Sequence, residues 1–169
     1  MACGFCGDSC CNHGVDVEVT TMNAILRSAD ALEPIVGAPR AQWFTGAEKD
    51  ADMPGGASVR TRVRDGMCVF RSRSARGCVL HSFALEQGRD YHELKPMVSA
   101  LFPVTFGDGE LLISEELEDG TLVCSSHGSP AYESVRSELA YYFGEELTTE
   151  MDRIRSGLTA AGPSATGLI

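Results

Sequence analysis

Four of the chain's seven cysteines fall within its first eleven residues, spaced as Cys3-x-x-Cys6-x-x-x-Cys10-Cys11. Thiols two or three residues apart converge on one ion or cluster when the chain between them turns back on itself. Gly4 and Gly7 allow that turning, because glycine takes positive φ without steric cost and lets amides approach a sulfur. A chain that begins this way is built around a soft-metal site or around disulfides. Seven is an odd count, which full pairing cannot use. The opening residues carry neither a basic stretch nor an apolar one of the kind that directs export, so the expected compartment is the cytoplasm. Clustered cysteines persist there as thiolates, and metal ligation is the leading reading.

A length of 169 residues suits one domain with a sizeable core of its own. Hydrophobic content of 43% and charged content of 22% are those of a soluble globular chain, and no run of eighteen apolar residues suggests a membrane span. The formal net charge of −10 argues against nucleic acid, which needs a basic footprint. The charge is unevenly spread. Residues 110–152 carry many acids and one cation, Arg136, whereas Arg60, Arg62, Arg64, Arg71, Arg73 and Arg76 crowd around Cys68. Arginines on an edge hairpin are ordinarily solvated. Their functional alternative is to offset an anionic thiolate site or to dock an acidic partner, which includes the chain's own acidic half.

Periodicity gives a coarse α+β reading. Val15–Val19 alternates as a short strand, and Thr20 or Thr21 caps a helix through about Leu32 that Pro34 and Gly37 close. Pro39 opens a turn that delivers Trp43 and Phe44 to the core, and residues 45–57 form a loop. Asp65-Gly66 is a type I′ hairpin signal. It pairs Arg64 with Met67, Val63 with Cys68 and Thr61 with Phe70, so Val59, Thr61, Val63, Cys68 and Phe70 share a face and Cys68 points inward. A turn over Ser72–Gly77 leads to Cys78 and a helix from Ser82 to Gly88, and Asp90 caps a short turn before Pro96. Further expectations are a three-residue hairpin loop at Gly107-Asp108-Gly109 and a strand ending at Cys124 after the Asp119-Gly120 turn. Ser129-Pro130 starts a helix whose stripe is Tyr132, Val135, Leu139, Tyr142 and Phe143, and an acidic helix follows Gly144. Residues 1–156 are read as a cysteine-cluster metal-binding domain and residues 157–169 as a flexible tail. The whole is small antiparallel hairpins with peripheral helices around a cysteine-lined metal site.

The cysteine cluster, together with Gly66-Met-Cys68-Val-Phe70, Gly77-Cys78-Val-Leu-His81, Lys95-Pro96 and Leu101-Phe102-Pro103, resembles the bacterial cysteine-cluster family described as a zinc- or iron-chelating domain. It is similar in particular to an uncharacterised relative in that group. The resemblance spans about residues 3 to 155. It implies metal or iron–sulfur binding, in some members beside a modifying enzyme, and no settled reaction. The family often has a cysteine between its Arg/Lys-Pro and Phe-Pro pairs, where this chain has Ser99. Either the site has one ligand fewer or Cys124 stands in, and the second is favoured.

The expected metal ligands are therefore Cys3, Cys6, Cys10, Cys11, Cys68, Cys78 and Cys124, with His81 completing a mixed site or bonding to a ligand sulfur. Adjacent cysteines seldom bind one metal together, so Cys10 and Cys11 are not ranked. His13 is a weaker candidate, and His92 and His127 are read as surface residues. No hydrolase constellation and no phosphate-binding glycine loop is present. Three functions follow. The first is a protein holding a [4Fe–4S] cluster or iron, acting in electron transfer or beside a partner enzyme. The second is a structural zinc domain that binds another protein. The third is a thiol-redox enzyme using Cys3-x-x-Cys6, which the absence of a β-α-β pattern makes weakest. A protein partner is expected, and the sequence carries no sign of oligomeric state.

Overall fold

The computed structural model describes residues 6–160, with side chains through residue 158. The chain is an α+β protein: among the described residues helices are the larger part, and the strands make three small antiparallel sheets. The first is three-stranded, with β3 (Ala57–Arg60) between β1 (Asp16–Glu18) and β2 (Glu48–Lys49). Asp16 lies opposite Arg60 in the ladder, and their side chains form an ion pair at 2.7 Å. That cross-strand pair helps set the register.

Helices α1 (Val19–Arg27) and α2 (Ala29–Val36) follow β1. The expected single helix is thus two, broken at Ser28, and Glu18 rather than Thr20 or Thr21 precedes the first turn. Pro34 lies inside α2 and does not close it, since the carbonyl it leaves without a helical donor belongs to the exposed Asp30. Gly37 ends the helix with φ of 68°. A 3-10 turn (Arg40–Gln42) then buries Trp43 completely, and its indole Nε1 donates to the Ala38 carbonyl at 2.8 Å. Trp43 and Phe70 meet edge to face, the geometry their ring quadrupoles favour. Around them pack Val17, Ile25, Leu32, Val59, Leu80 and Phe83, the principal core.

The hairpin of β4 (Val63–Arg64) and β5 (Met67–Cys68) has the expected pairs and the expected turn, with φ of 55° at Asp65 and 76° at Gly66. It stops there. Thr61 bridges to Phe44 instead of Phe70, because β3 is already held by β1 and β2, and Val63 is left 47% exposed. The segment expected as a loop over residues 45–57 supplies β2.

After Cys78 comes α3 (Val79–Glu86), three residues earlier than periodicity suggested, then a 3-10 turn (Tyr91–Glu93) capped by Asp90, whose carboxylate accepts the His92 amide. Helix α4 (Met97–Leu101) leads into β6 (Val104–Gly107) and β7 (Glu110–Ile113). Gly107 pairs with Glu110, so the loop is the two residues Asp108 and Gly109, both at positive φ, not three. A short helix α5 (Glu115–Glu118) follows, and residues 121–124 form turns where a strand was expected. Helices α6 (Ala131–Phe143) and α7 (Glu145–Ala160) complete the described part. Val135 and Leu139 are buried in a second core with Met97 and Leu101, while Phe143 at the end of the stripe is exposed. Helix α7 runs past the expected start of the tail at 157, and residues 161–169 lie outside the described part.

Glu18 sits between the two cores. It is 5% exposed, its Oε1 accepts the Met97 amide at 3.3 Å, and its Oε2 has no partner. Burial raises its pKa above the ordinary carboxylate value. A raised carboxyl favours the fold most below the unfolded pKa of 4.5, and that contribution is lost as pH rises through the folded value. Glu18→Gln keeps the acceptor for Met97 and removes the charge. Urea melts should show it about 1 kcal/mol more stable than wild type at pH 7, with the gap closing near pH 4.

Candidate thiolate metal centre

The cysteine loop is fastened at both ends. At its start a 3-10 turn (Ser9–Cys11) follows Gly7 and Asp8, both left-handed, with φ of 61° and 60°. A left-handed aspartate costs about 1 kcal/mol or more, so something must hold it. Asp8 is 7% exposed, and its carboxylate accepts the Gly77 amide at 3.0 Å and an Arg76 Nη at 2.9 Å. Arg71 stands 3.7 Å from the same carboxylate and donates to the Gly7 carbonyl at 3.1 Å. At its far end Gly14 has φ of 71°, and a Cβ there would lie 2.6 Å from the Thr61 carbonyl oxygen, so only glycine fits. The Val15 amide donates to the Thr61 hydroxyl at 2.8 Å, and the Cys68 thiol lies 3.4 Å from that hydroxyl. Three of the six arginines therefore fasten the loop: Arg71 and Arg76 near its start, and Arg60, which donates to the His13 carbonyl at 3.1 Å, near its end. Others brace the chain nearby, Arg62 on the Phe44 carbonyl and Arg64 on the Gly37 carbonyl.

Thiols from three separate segments lie within electrostatic reach of Cys11. Cys10 and Cys11 come from the loop, Cys68 from β5, and Cys78 from the start of α3, where Arg71 and Cys78 form an isolated bridge. The Cys11 thiol donates to the Cys10 sulfur, which holds the Cys10 pKa down to about 7 against its burial. Cys11 is pushed far up by that same bond, by burial, and by the neighbouring sulfurs of Cys10, Cys78 and Cys68. Burial also raises Cys78, opposed by the amides of His81 and Leu80 in the first turn of α3. In the metal-free reduced protein, alkylation of Cys10 should show a pH midpoint near 7, and Cys11→Ala should move it toward the ordinary 9.0. Mass spectrometry of the labelled peptide checks both values.

Among the described residues no group of three or more His, Cys, Asp and Glu side chains is placed so that it could hold a metal ion as it stands, and none of the cysteines is in a disulfide. Cys3 lies outside the described residues. Cys6 is half-buried, 3.7 Å from an Arg76 nitrogen, and is not among the groups that act most on Cys11. Cys124 is buried in the turns after α5 and is not among them either. Its expected place at a strand end is corrected, and Ser99 lies half-buried within α4. His81 stands one turn into α3. Its ring packs against Tyr91 at 4.4 Å between centroids, and its buried Nδ1 has no partner.

Sequence reasoning missed the parts that hold the site. Asp8 carried a signal in the Gly7-Asp8 pair, an ordinary left-handed turn dipeptide, but its partners are about seventy residues away. His92 is no surface residue: its side chain is 11% exposed and lies between the rings of Tyr91 and Tyr141, at 4.0 and 3.6 Å. Its Nδ1 lies 2.6 Å from Asp90 and its Nε2 2.8 Å from Glu138, whose other oxygen accepts the Tyr91 hydroxyl at 2.6 Å. This lock joins the cysteine-bearing half to α6. His127 is exposed, as expected, and the weaker candidate His13 is exposed too.

No protein-family model, no curated protein and no solved structure matches the chain. No helix among the described residues is long and apolar enough to cross a membrane.

Proposed function

We propose that this chain is a metal-binding protein that holds an iron–sulfur cluster or iron through clustered cysteines and acts in electron transfer or as an accessory to a partner enzyme. What supports this most is that Cys10, Cys68 and Cys78, from three distant stretches of chain, lie within electrostatic reach of the Cys11 thiol. An isolated buried thiol is only a small hydrophobe, whereas a thiol-rich loop fastened at both ends, with two thiols of distant segments in electrostatic reach of Cys11, suits a soft ion. The donor chemistry fits, because thiolates select iron–sulfur centres, iron or zinc over hard cations. Cys11, Cys68 and Cys78 would hold the metal, and Cys10 or a thiol from the start of the chain, Cys3 or Cys6, would complete four. Four thiolates suffice for a [4Fe–4S] cluster, which supplies one-electron chemistry when bound. Membership of the cysteine-cluster family is part of the same proposal and rests on the motifs alone. A cytoplasmic location agrees with free thiols.

The test is metal and acid-labile sulfide analysis, with a visible spectrum, on protein purified without oxygen. Iron with sulfide and broad absorption near roughly 400 nm supports the cluster. One zinc per chain and no colour replaces it with a structural zinc domain. Thiol-dependent activity with no metal at all replaces both with a thiol-redox enzyme.

A further inference from the structure

The arginine crowd around Cys68 is not uniformly neutralised. Arg60 pairs with Asp16, Arg71 and Arg76 with Asp8, and Arg73 with Asp65, which also stands 3.7 Å from Arg64. Arg62 has no ion-pair partner among the described residues. Its Nε donates to the Phe44 carbonyl at 2.9 Å, and an Arg64 Nη donates to the Gly37 carbonyl at 2.7 Å. A carbonyl fixes a guanidinium without cancelling its charge, and further N–H donors are left over on each. Arginines that only guard a sheet edge reach into water. These two are folded back and held.

Both line one cleft of about 450 Å³, between the 3-10 turn at Arg40–Gln42 and β4. Its apolar wall comes from the buried Ala38 and Val69 and from Val63, which is 47% exposed. A space of this size takes a few side chains. Strand β4 is paired with β5 alone. The Val69 amide donates to the Arg62 carbonyl at 2.9 Å, so Val63 opposes Cys68 without bonding to it, and its own amide and carbonyl turn away from β5. A free main-chain edge beside two fixed cations, two residues apart, matches an extended chain with acidic side chains at the same spacing.

We infer that this cleft docks an extended acidic segment of a partner protein, with carboxylates two residues apart facing Arg62 and Arg64. Guanidinium forks take carboxylates through paired hydrogen bonds. The alternate, apolar side chains of such a segment cover Val63. A chain of net charge −10 repels acidic partners over much of its surface, so a cationic cleft also decides where one lands. The inference does not depend on the thiols holding a metal.

The test titrates the full chain with the peptide Leu-Glu-Leu-Glu-Leu, dye-labelled and followed by fluorescence anisotropy. Wild type should bind it saturably, one per chain, and less tightly as salt rises. The glutamine counterpart, Leu-Gln-Leu-Gln-Leu, should bind at least about tenfold more weakly, and Arg62→Ala and Arg64→Ala should each lose about tenfold. Arg62→Glu should abolish binding. Arg27→Glu makes the same charge change on an exposed position of α1 and should stay within about threefold of wild type. If Arg62→Glu does not fold, the two peptides on wild type and Arg64→Ala carry the comparison. No saturable binding, equal affinity for the two peptides, or an equal loss in Arg27→Glu overturns the inference. Succinate or inorganic phosphate binding as tightly as the peptide overturns it too, and makes the cleft a site for small anions.

Discussion

Cys68→Ala and Cys78→Ala are each expected to cost the protein its metal, with content falling below about a tenth of wild type and affinity falling at least about a hundredfold. The estimate follows from what loss of an outer-shell partner alone costs, about ten- to a hundredfold, since removing a ligand removes more. The fold should survive. Cys68 keeps its ladder pair with Val63 through the backbone, and α3 still begins after position 78. Truncating a half-buried cysteine leaves a small gap, on the order of 1 kcal/mol. Circular dichroism and a melt separate metal loss from unfolding. Cys124→Ala is the matched control. It removes a thiol that is more deeply buried but lies in the turns after α5, and it should keep its metal. Metal loss in Cys124→Ala would mean that this residue does stand in for the family cysteine at the position of Ser99.

His92→Ala should be the most destabilising single change outside the apolar cores, at about 3 kcal/mol, and should lower the melting temperature by roughly 10 °C. Three losses combine. The ring leaves its slot between Tyr91 and Tyr141, with stacking contributing about 1 kcal/mol beyond its area. The carboxylate of Glu138, only 12% exposed, keeps the Tyr91 hydroxyl and loses the imidazole. Asp90 loses its side-chain partner on the same ring, though it still caps the His92 amide. A double-mutant cycle with Glu138→Gln should return a coupling of about 1–2 kcal/mol, and a coupling near zero would mean that stacking alone holds the ring. Because α6 is fastened to the turn that carries Tyr91, whose ring packs against His81 three residues after Cys78, His92→Ala should also weaken metal binding, though less than loss of a thiol.

What was legible in the sequence was local. The Asp65-Gly66 turn has its chemistry in two adjacent residues, and the pairs on either side follow from it. Trp43 was placed correctly because a proline-opened turn aims it inward whatever else the chain does. The pairing of Thr61 with Phe70 was wrong because it was extrapolated along the hairpin, while β3 was recruited by strands forty residues earlier and ten residues earlier. His92 was misread because its slot is made by residues of α6, nearly fifty positions on, and no periodicity joins them. The candidate site divides the same way. Its thiols were visible as residue types at telling spacings. What holds them, Asp8 against Arg71, Arg76 and the Gly77 amide, and Thr61 between Val15 and Cys68, depends on three-dimensional proximity that one sequence does not display. The arginine excess near Cys68 was seen and its reason was not, since Asp8 lies far upstream.

The loop cysteines and the pair Cys68 and Cys78 are proposed to hold one metal centre together. The most direct measurement is an alkylation footprint of the protein purified without oxygen, taken before and after the metal is removed by a chelator and read residue by residue in a mass spectrometer. Cys11, Cys68 and Cys78 should be protected as a set and labelled at least about ten times faster once the metal is gone, with Cys124 unchanged. Identical labelling of those three in both states would contradict it.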